Sequence, residues 1–331
     1  MLPAMLLRTC LLAAATGAVA MEMYCPEASD LQFDYNDGGG ILLDQGWEIT
    51  DGARVSTKAS FNLLGGYVEF VMDVSKSHPG VNTNVYSSFP NLTNEGYRGT
   101  DDYCDGQGPS EPSPYWCLEQ DYIETNGPML LASTWHTVER GSTRDDGMFG
   151  CDHHGCGAEH HFLSSGCTPT NSTPEPVIDS SHPFKLRAAF SESGEMTILI
   201  SQGAVSLEVT EFSHWDGSKP GSDDHEVVKR YMEEQGAVIL SSQWTGWVPG
   251  NECPLGSSGA ASTNGSHFAI YDLTLHGSVL RGSATKCDLT KDETSPTSPT
   301  TTTDEMSASP SSSAAWSILL ASCLQSVMAL A

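Results

Sequence analysis

GYVEFVMDV, residues 66–74, alternates cleanly. Val68, Phe70, Met72 and Val74 fall on one side of an extended chain, and Tyr67, Glu69, Val71 and Asp73 on the other, because successive strand side chains point to opposite faces. The first face is apolar and is expected to meet a second sheet. The second mixes aromatic and acidic groups, as the concave face of a sugar-binding sheet would. VNTNVYSSF, KLRAAF, MTILIS, AVSLEVTEF, GAVILSSQW and HFAIYDLTL carry similar short β patterns, separated by clusters of Gly, Pro, Ser and Asn. Only VVKRYMEEQG, residues 227–236, has helical spacing, with Gly236 as its stop. Many strands, Gly-rich turns and almost no helix predict an all-β fold, an antiparallel sandwich or jelly roll. Residues 94–115 and most of 141–182 read as long loops, and on a sheet scaffold such loops are usually functional or disulfide-tethered.

The ends of the chain read as processing signals. Residues 1–20 combine an early Arg8, an apolar run and a small-residue exit at Ala18 and Ala20, the pattern of a secretory signal peptide. Residues 289–313 are dominated by Ser, Thr and Pro and cannot bury enough apolar surface to fold, so they read as an O-glycosylated stalk. The apolar tail, 314–331, is too short and too polar for a comfortable membrane span. It fits a glycolipid-anchor signal that is removed, and a plain secreted protein is the alternative. Residues 21–288 remain as the folded part.

That part holds eight of the ten cysteines: Cys25, Cys104, Cys117, Cys151, Cys156, Cys167, Cys253 and Cys287. An even number in an exported chain implies disulfides, with pairing not readable from spacing. Sequons at Asn91, Asn171 and Asn264 suit a secreted glycoprotein. The formal net charge is −27, from 42 acidic and 15 basic residues. Nucleic acid is therefore excluded as a partner, since phosphate binding needs a positive footprint. An acidic surface suits a neutral polysaccharide, and equally suits simple solubility.

WCLEQDYIETNG, residues 116–127, concentrates Glu119, Asp121 and Glu124. On a strand Glu119 and Asp121 share a face, whereas Glu124 would point away. A single bulge between Asp121 and Glu124 returns it to that face. Retaining glycoside hydrolysis needs such a layout, with two carboxyls ~5–5.5 Å apart, one a nucleophile and one an acid/base. Like charges so close cannot all ionise comfortably, and the acid role requires one to keep its proton. A solvated strand edge and a calcium site are the competing readings. The apolar and aromatic flanks Trp116, Leu118, Tyr122 and Ile123, with Cys117 as a staple, favour a rigid strand.

EQDYIETNG resembles the E-x-D-x-x-E-A-N signature of glycoside hydrolase family 7, the fungal cellobiohydrolases and endoglucanases. Other segments resemble that family in the same order. GYVEFVMDVSKSHPGVNTNVYSSF is similar to its strand pair, YCDGQ to its Y-C-D-x-Q, CDHHGC to its C-D-x-D-G-C loop and GAVILSSQWTGW to its late tryptophan strand. His136 stands twelve residues after Glu124, near the spacing of the family's active-site histidine. The resemblance spans residues 66–247. It implies a concanavalin A-like β-jelly roll of two packed antiparallel sheets with a concave substrate cleft. It also implies Glu119 as nucleophile, Asp121 as its partner and Glu124 as acid/base, with His136, Trp244, Tyr86 and Gln107 binding substrate. The chain is shorter and poorer in cysteine than typical members, and Trp244 is followed by Thr245 and Gly246 rather than by acidic residues. Trimmed tunnel loops and an endo-acting open cleft follow. Family 16, with its β-1,3(4)-glucanases and transglycosylases, shares the fold and the carboxylate motif, so the glucan linkage stays open.

The expected function is retaining endo-hydrolysis of β-glucan, of the β-1,4 cellulose type, by a secreted monomer without cofactor or metal. Its membrane contact would be limited to the glycolipid anchor. A non-catalytic carbohydrate-binding surface protein is the alternative, because a fold does not dictate activity. His153, His154, His160 and His161 could suggest a metal site, but oxidation of Cys151 and Cys156 favours a structural or product-site loop. Trp215 and Trp247 fit a core position as well as a sugar platform.

Overall fold

The structure, a computed structural model, describes residues 20–89, 118–127, 130–136, 151, 155–162, 178–214, 217–249 and 262–288. The stalk, the tail and nearly all of the leader lie outside the described residues. So do Gln107, Cys104, Cys117, Cys167, Cys253, His153, His154, Trp116, Trp215 and the sequons at Asn91 and Asn171.

In chain order the strands are β1 (Glu22–Tyr24), β2 (Leu31–Tyr35), β3 (Gly40–Leu43), β4 (Gly46–Thr50), β5 (Arg54–Thr57), β6 (Ser60–Asp73), β7 (Asn82–Phe89) and β8 (Leu118–Asn126). They continue as β9 (Leu130–His136), β10 (Cys156–His161), β11 (Phe184–Phe190), β12 (Met196–Gln202), β13 (Val205–Val209), β14 (Val238–Trp244) and β15 (His267–Arg281). Eight of them form one sheet in the order β13-β12-β11-β6-β15-β4-β3, with β1 also paired to β15, and seven form the other, β10-β9-β8-β7-β14-β5-β2. The pairings are antiparallel throughout. This is the all-β, two-sheet jelly-roll architecture expected from the hydrophobic alternation.

The core lies between the sheets. Trp47, Phe61, Phe70 and Phe268 from the eight-stranded sheet are fully buried, as are Phe89, Tyr122, Trp135 and Ile239 from the seven-stranded one. Tyr122 meets Phe190 edge to face across the interior, ring centroids 6.1 Å apart. Disulfides join Cys25 to Cys287 and Cys151 to Cys156. The first ties the start of the described chain to its end, closing a loop with a sequence separation of 262, and such a closure limits the unfolded ensemble.

Long β6 shows how the glycines set its faces. Phe61 and Leu63 are buried at odd positions, then Val68, Phe70 and Met72 at even ones. The phase changes at Gly65, with φ +71°, and Gly66, where an added Cβ would collide with the His276 carbonyl. The ladder to β15 slips at the same place, between His276 and Ser278, as a bulge requires.

The polar face of β6 corrects one expectation. Tyr67, Glu69, Val71 and Asp73 do not form the concave face with the acidic cluster, because β6 belongs to the eight-stranded sheet and β8 to the other. Alternation reports that one face is solvated, not which sheet it serves. Glu69 instead accepts hydrogen bonds from Lys185 Nζ at 2.9 Å and Arg187 Nε at 2.7 Å. The Arg187 guanidinium also lies 4.2 Å from the centre of the Tyr67 ring.

The helix, α1 (Ser222–Glu234), begins a full turn before the expected 227–236. Asp224 accepts from the Gly221 N–H at 2.7 Å, which caps the first turn. Capping, unlike apolar periodicity, is carried by SDDH. Val227, Val228 and Met232 are buried as α1 packs on β6, and Gly236 follows with φ +74°.

Burial pushes the Glu69 carboxyl up, but the bonds from Lys185 and Arg187 outweigh it and hold it below the ordinary carboxylate range. A depressed folded-state value stabilises above the unfolded value, and that stability is lost as pH falls through the folded one. Glu69→Gln should therefore cost about 0.5–1 kcal/mol at pH 7. The cost should vanish once pH falls below the depressed folded value. Urea unfolding of both proteins across that range measures the difference.

Candidate active site

The acidic cluster sits on β8, in the middle of the seven-stranded sheet between β7 and β9. Glu119 pairs with Ser88 on one side and His136 on the other, and Asp121 with Tyr86 and Thr134. The next cleft-facing pairs are Glu124 with Asn84 and with Ala132. Between Asp121 and Glu124 both ladders carry one extra residue on β8, at the place where the sequence calls for a bulge. Tyr122 and Ile123 are consecutive and both fully buried in the core, so the chain turns two side chains inward in succession. Glu124 is thereby returned to the face of Glu119 and Asp121. Ser133 Oγ donates to the Tyr122 carbonyl at 2.7 Å, satisfying an acceptor beside the interrupted ladder.

This outer face carries a cleft of about 470 Å³. Glu119, Asp121, Glu124, His136, Tyr86 and Trp244 all line it. Asp121 and Glu124 are only 5% and 8% exposed, and Glu119 is half-buried. His136 Nε2 lies 3.0 Å from Asp121 Oδ2, and Gln120 Nε2 holds the His136 carbonyl at 3.1 Å. Asn82 Nδ2 donates to Glu124 Oε1 at 2.9 Å. The three carboxyls thus have different surroundings on one surface: a histidine at Asp121, an amide donor at Glu124, and a more open position for Glu119.

Behind His136 the chain runs close. Gly155 has φ +79°, and a Cβ there would strike the Trp135 carbonyl and lie 3.0 Å from His136 Nδ1. Cys156 follows directly and is tied to Cys151. Gly155 is therefore the part of CDHHGC that the structure places against the histidine, and the sulfurs of Cys151 and Cys156 are committed to their bond. Among the described residues no three His, Cys, Asp or Glu side chains are gathered to hold a metal ion.

Several lining residues escape the sequence reading. Tyr35 on β2 and Arg54 on β5 reach the cleft through pairing of strands distant in sequence. Trp247 also lines it; its ring lies 6.4 Å from that of Trp244 with 21° between their planes. Both tryptophans are more than a third exposed. Trp247 is thus part of the cleft rather than of the core. Asn84 was within reach of the alternation, since 82, 84 and 86 share a face with Tyr86.

No family model matches the chain, and no curated protein matches its sequence. Among solved structures it is similar to an endoglucanase I complexed with cellobiose, at 15% identity, TM-score 0.48, covering 72% of this chain and 78% of that one. It is similar to the Humicola insolens endocellulase EGI at 18% identity and TM-score 0.47, covering 72% and 78%. A GH7 family cellobiohydrolase from Daphnia pulex gives 16% identity and TM-score 0.45, covering 71% and 79%. Similarity at this level assigns no activity.

Gly155→Ala should destabilise the fold by about 1–3 kcal/mol, through the positive φ and the forced contact with Trp135. Urea denaturation tests this, and a loss below the error of the method would show that the chain at Gly155 has room to move.

Proposed function

We propose that the cleft hydrolyses β-glucan, most simply β-1,4-glucan, with retention of anomeric configuration. The observation that carries the reading is the bulge at Tyr122 and Ile123, which sets Glu119, Asp121 and Glu124 on one solvent-facing surface. A strand edge kept acidic for solubility has no use for a bulge that buries two core residues to turn one carboxylate outward. The stacked Trp244–Trp247 pair at the cleft supports a substrate with flat apolar faces, as sugar rings have. The disulfides support work in an oxidising compartment outside the cell.

In this mechanism Glu119 attacks the anomeric carbon as a carboxylate, and the bond to the leaving oxygen breaks. Glu124 gives its proton to that oxygen, so the shortened glucan departs neutral. The sugar is now esterified to Glu119. Glu124, as a carboxylate, takes a proton from water while the water oxygen attacks the anomeric carbon and frees Glu119. Two inversions give net retention. Asp121, held by His136, sits between the two glutamates and orients Glu119. An open cleft favours attack within a chain over attack at its end.

Glu119→Gln should lower hydrolysis of soluble β-1,4-glucan by at least ~10³-fold, since it removes the nucleophile. Proton NMR of the first products should show the β-anomer. Inverted product would overturn the assignment of Glu119, and a parallel assay on β-1,3-glucan decides the linkage. Wild-type protein that binds glucan and releases no reducing sugar would mark a binding module instead. Trp247→Ala should raise KM for long glucans about 5–20-fold with little change in kcat, the mark of lost uniform binding.

A further inference from the structure

The hydrogen bonds leading to Glu124 have a fixed direction. The Ser242 peptide N–H donates to Asn84 Oδ1 at 2.8 Å, and the Ser242 hydroxyl donates to the same oxygen at 3.0 Å. A peptide nitrogen can only donate, so Asn84 must present its carbonyl oxygen there. Its amide nitrogen is thereby turned towards Asn82, whose Oδ1 accepts at 3.4 Å. Asn82 then has only its own nitrogen left to face Glu124, and it donates to Oε1 at 2.9 Å. Amide orientation is usually ambiguous because the two ends have similar shapes. Here a backbone donor settles it for both asparagines. Asn82, Asn84 and Glu124 are all buried, and β14 lies directly beside β7.

We infer that this relay reserves Oε1 of Glu124 as an anchored acceptor and assigns the exchangeable proton to Oε2, with Asn84 acting through Asn82 as a positioning residue. The functional consequence rests on the reading of Glu124 as acid/base. A proton on Oε1 would meet the Asn82 N–H head on, whereas a proton on Oε2 leaves that bond intact. The anchored oxygen keeps its partner in both states, so the carboxyl need not rotate between giving and taking the proton. A donor to a carboxylate favours the charged form, so removing the Asn82 N–H should move the balance towards the protonated acid. Other groups also act on it. Glu119 and Asp121 face it from β8, Tyr86 from β7, His136 from β9, Arg54 from β5, Tyr35 from β2 and Glu159 from β10. None of these is changed by the test variants.

The test reads the titration of Glu124 without substrate, by carbon-13 NMR of protein labelled at glutamate carboxyls. The resonance is identified by its loss in Glu124→Gln. Asn82→Leu should raise the midpoint by about one pH unit, the scale of one hydrogen bond to a charged group. Asn84→Ala leaves Asn82 in place but frees its amide to turn, and should raise the midpoint by about half as much. A residue with a merely structural role would not move this titration in a protein that remains folded. An unchanged midpoint in whichever variant folds overturns the relay, and Asn84→Ala alone suffices if Asn82→Leu does not fold. Absence of glucan hydrolysis by the wild type would sink the proposed function instead, while the titration still decides the relay.

Discussion

With one residue more than plain alternation allows, the placing of Glu124 beside Glu119 and Asp121 depends on burying Tyr122 and Ile123 side by side. A regular strand cannot send two neighbouring side chains to one face, so their burial forces an extra residue into β8. The apolar core drives the distortion. Tyr122 packs against Phe190 of the opposite sheet, and its carbonyl is satisfied by Ser133. The polar consequence appears on the other surface, where Glu124 joins Glu119 and Asp121. Packing energy on the inside thus holds together like charges on the outside, which would not cluster by themselves.

The surroundings of those charges are directional as well as crowded. Asp121 has a histidine, and Glu124 has an amide whose orientation traces back to a peptide N–H. The same groups that fasten β7 to β14 therefore reach the acidic centre. Under His136 the chain comes so close that only glycine fits at 155, and the Cys151–Cys156 bond holds that approach in place. Rigidity enters the cleft from three sides: core packing, ladder hydrogen bonds and a disulfide.

Much of this was legible in the sequence, for a physical reason. Local periodicity is written in consecutive residues, so Glu119, Asp121 and the need for a bulge before Glu124 could be read from one strand. Most strands of alternating pattern also appear where expected. What could not be read was pairing between distant strands. Arg54 and Tyr35 reach the cleft through β5 and β2, and no pattern within those segments announces it. The acidic-aromatic face of β6 was assigned to the wrong sheet for the same reason, since alternation gives a face but not its neighbour. The early start of α1 was missed because a cap is a hydrogen bond rather than a hydrophobic period. Gln107 lies outside the described residues, and its part in the cleft stays with the family resemblance.

The bulge has one further consequence, concerning insertion and deletion. It absorbs a single residue while both ends of β8 stay in register with β7 and β9. A chain lacking Tyr122 could resume plain alternation, and its three carboxylates would still share a face. The shared face is therefore set by parity along the strand. A strand that lost this one central residue would keep the shared face, although a pattern written with fixed gaps would no longer find it.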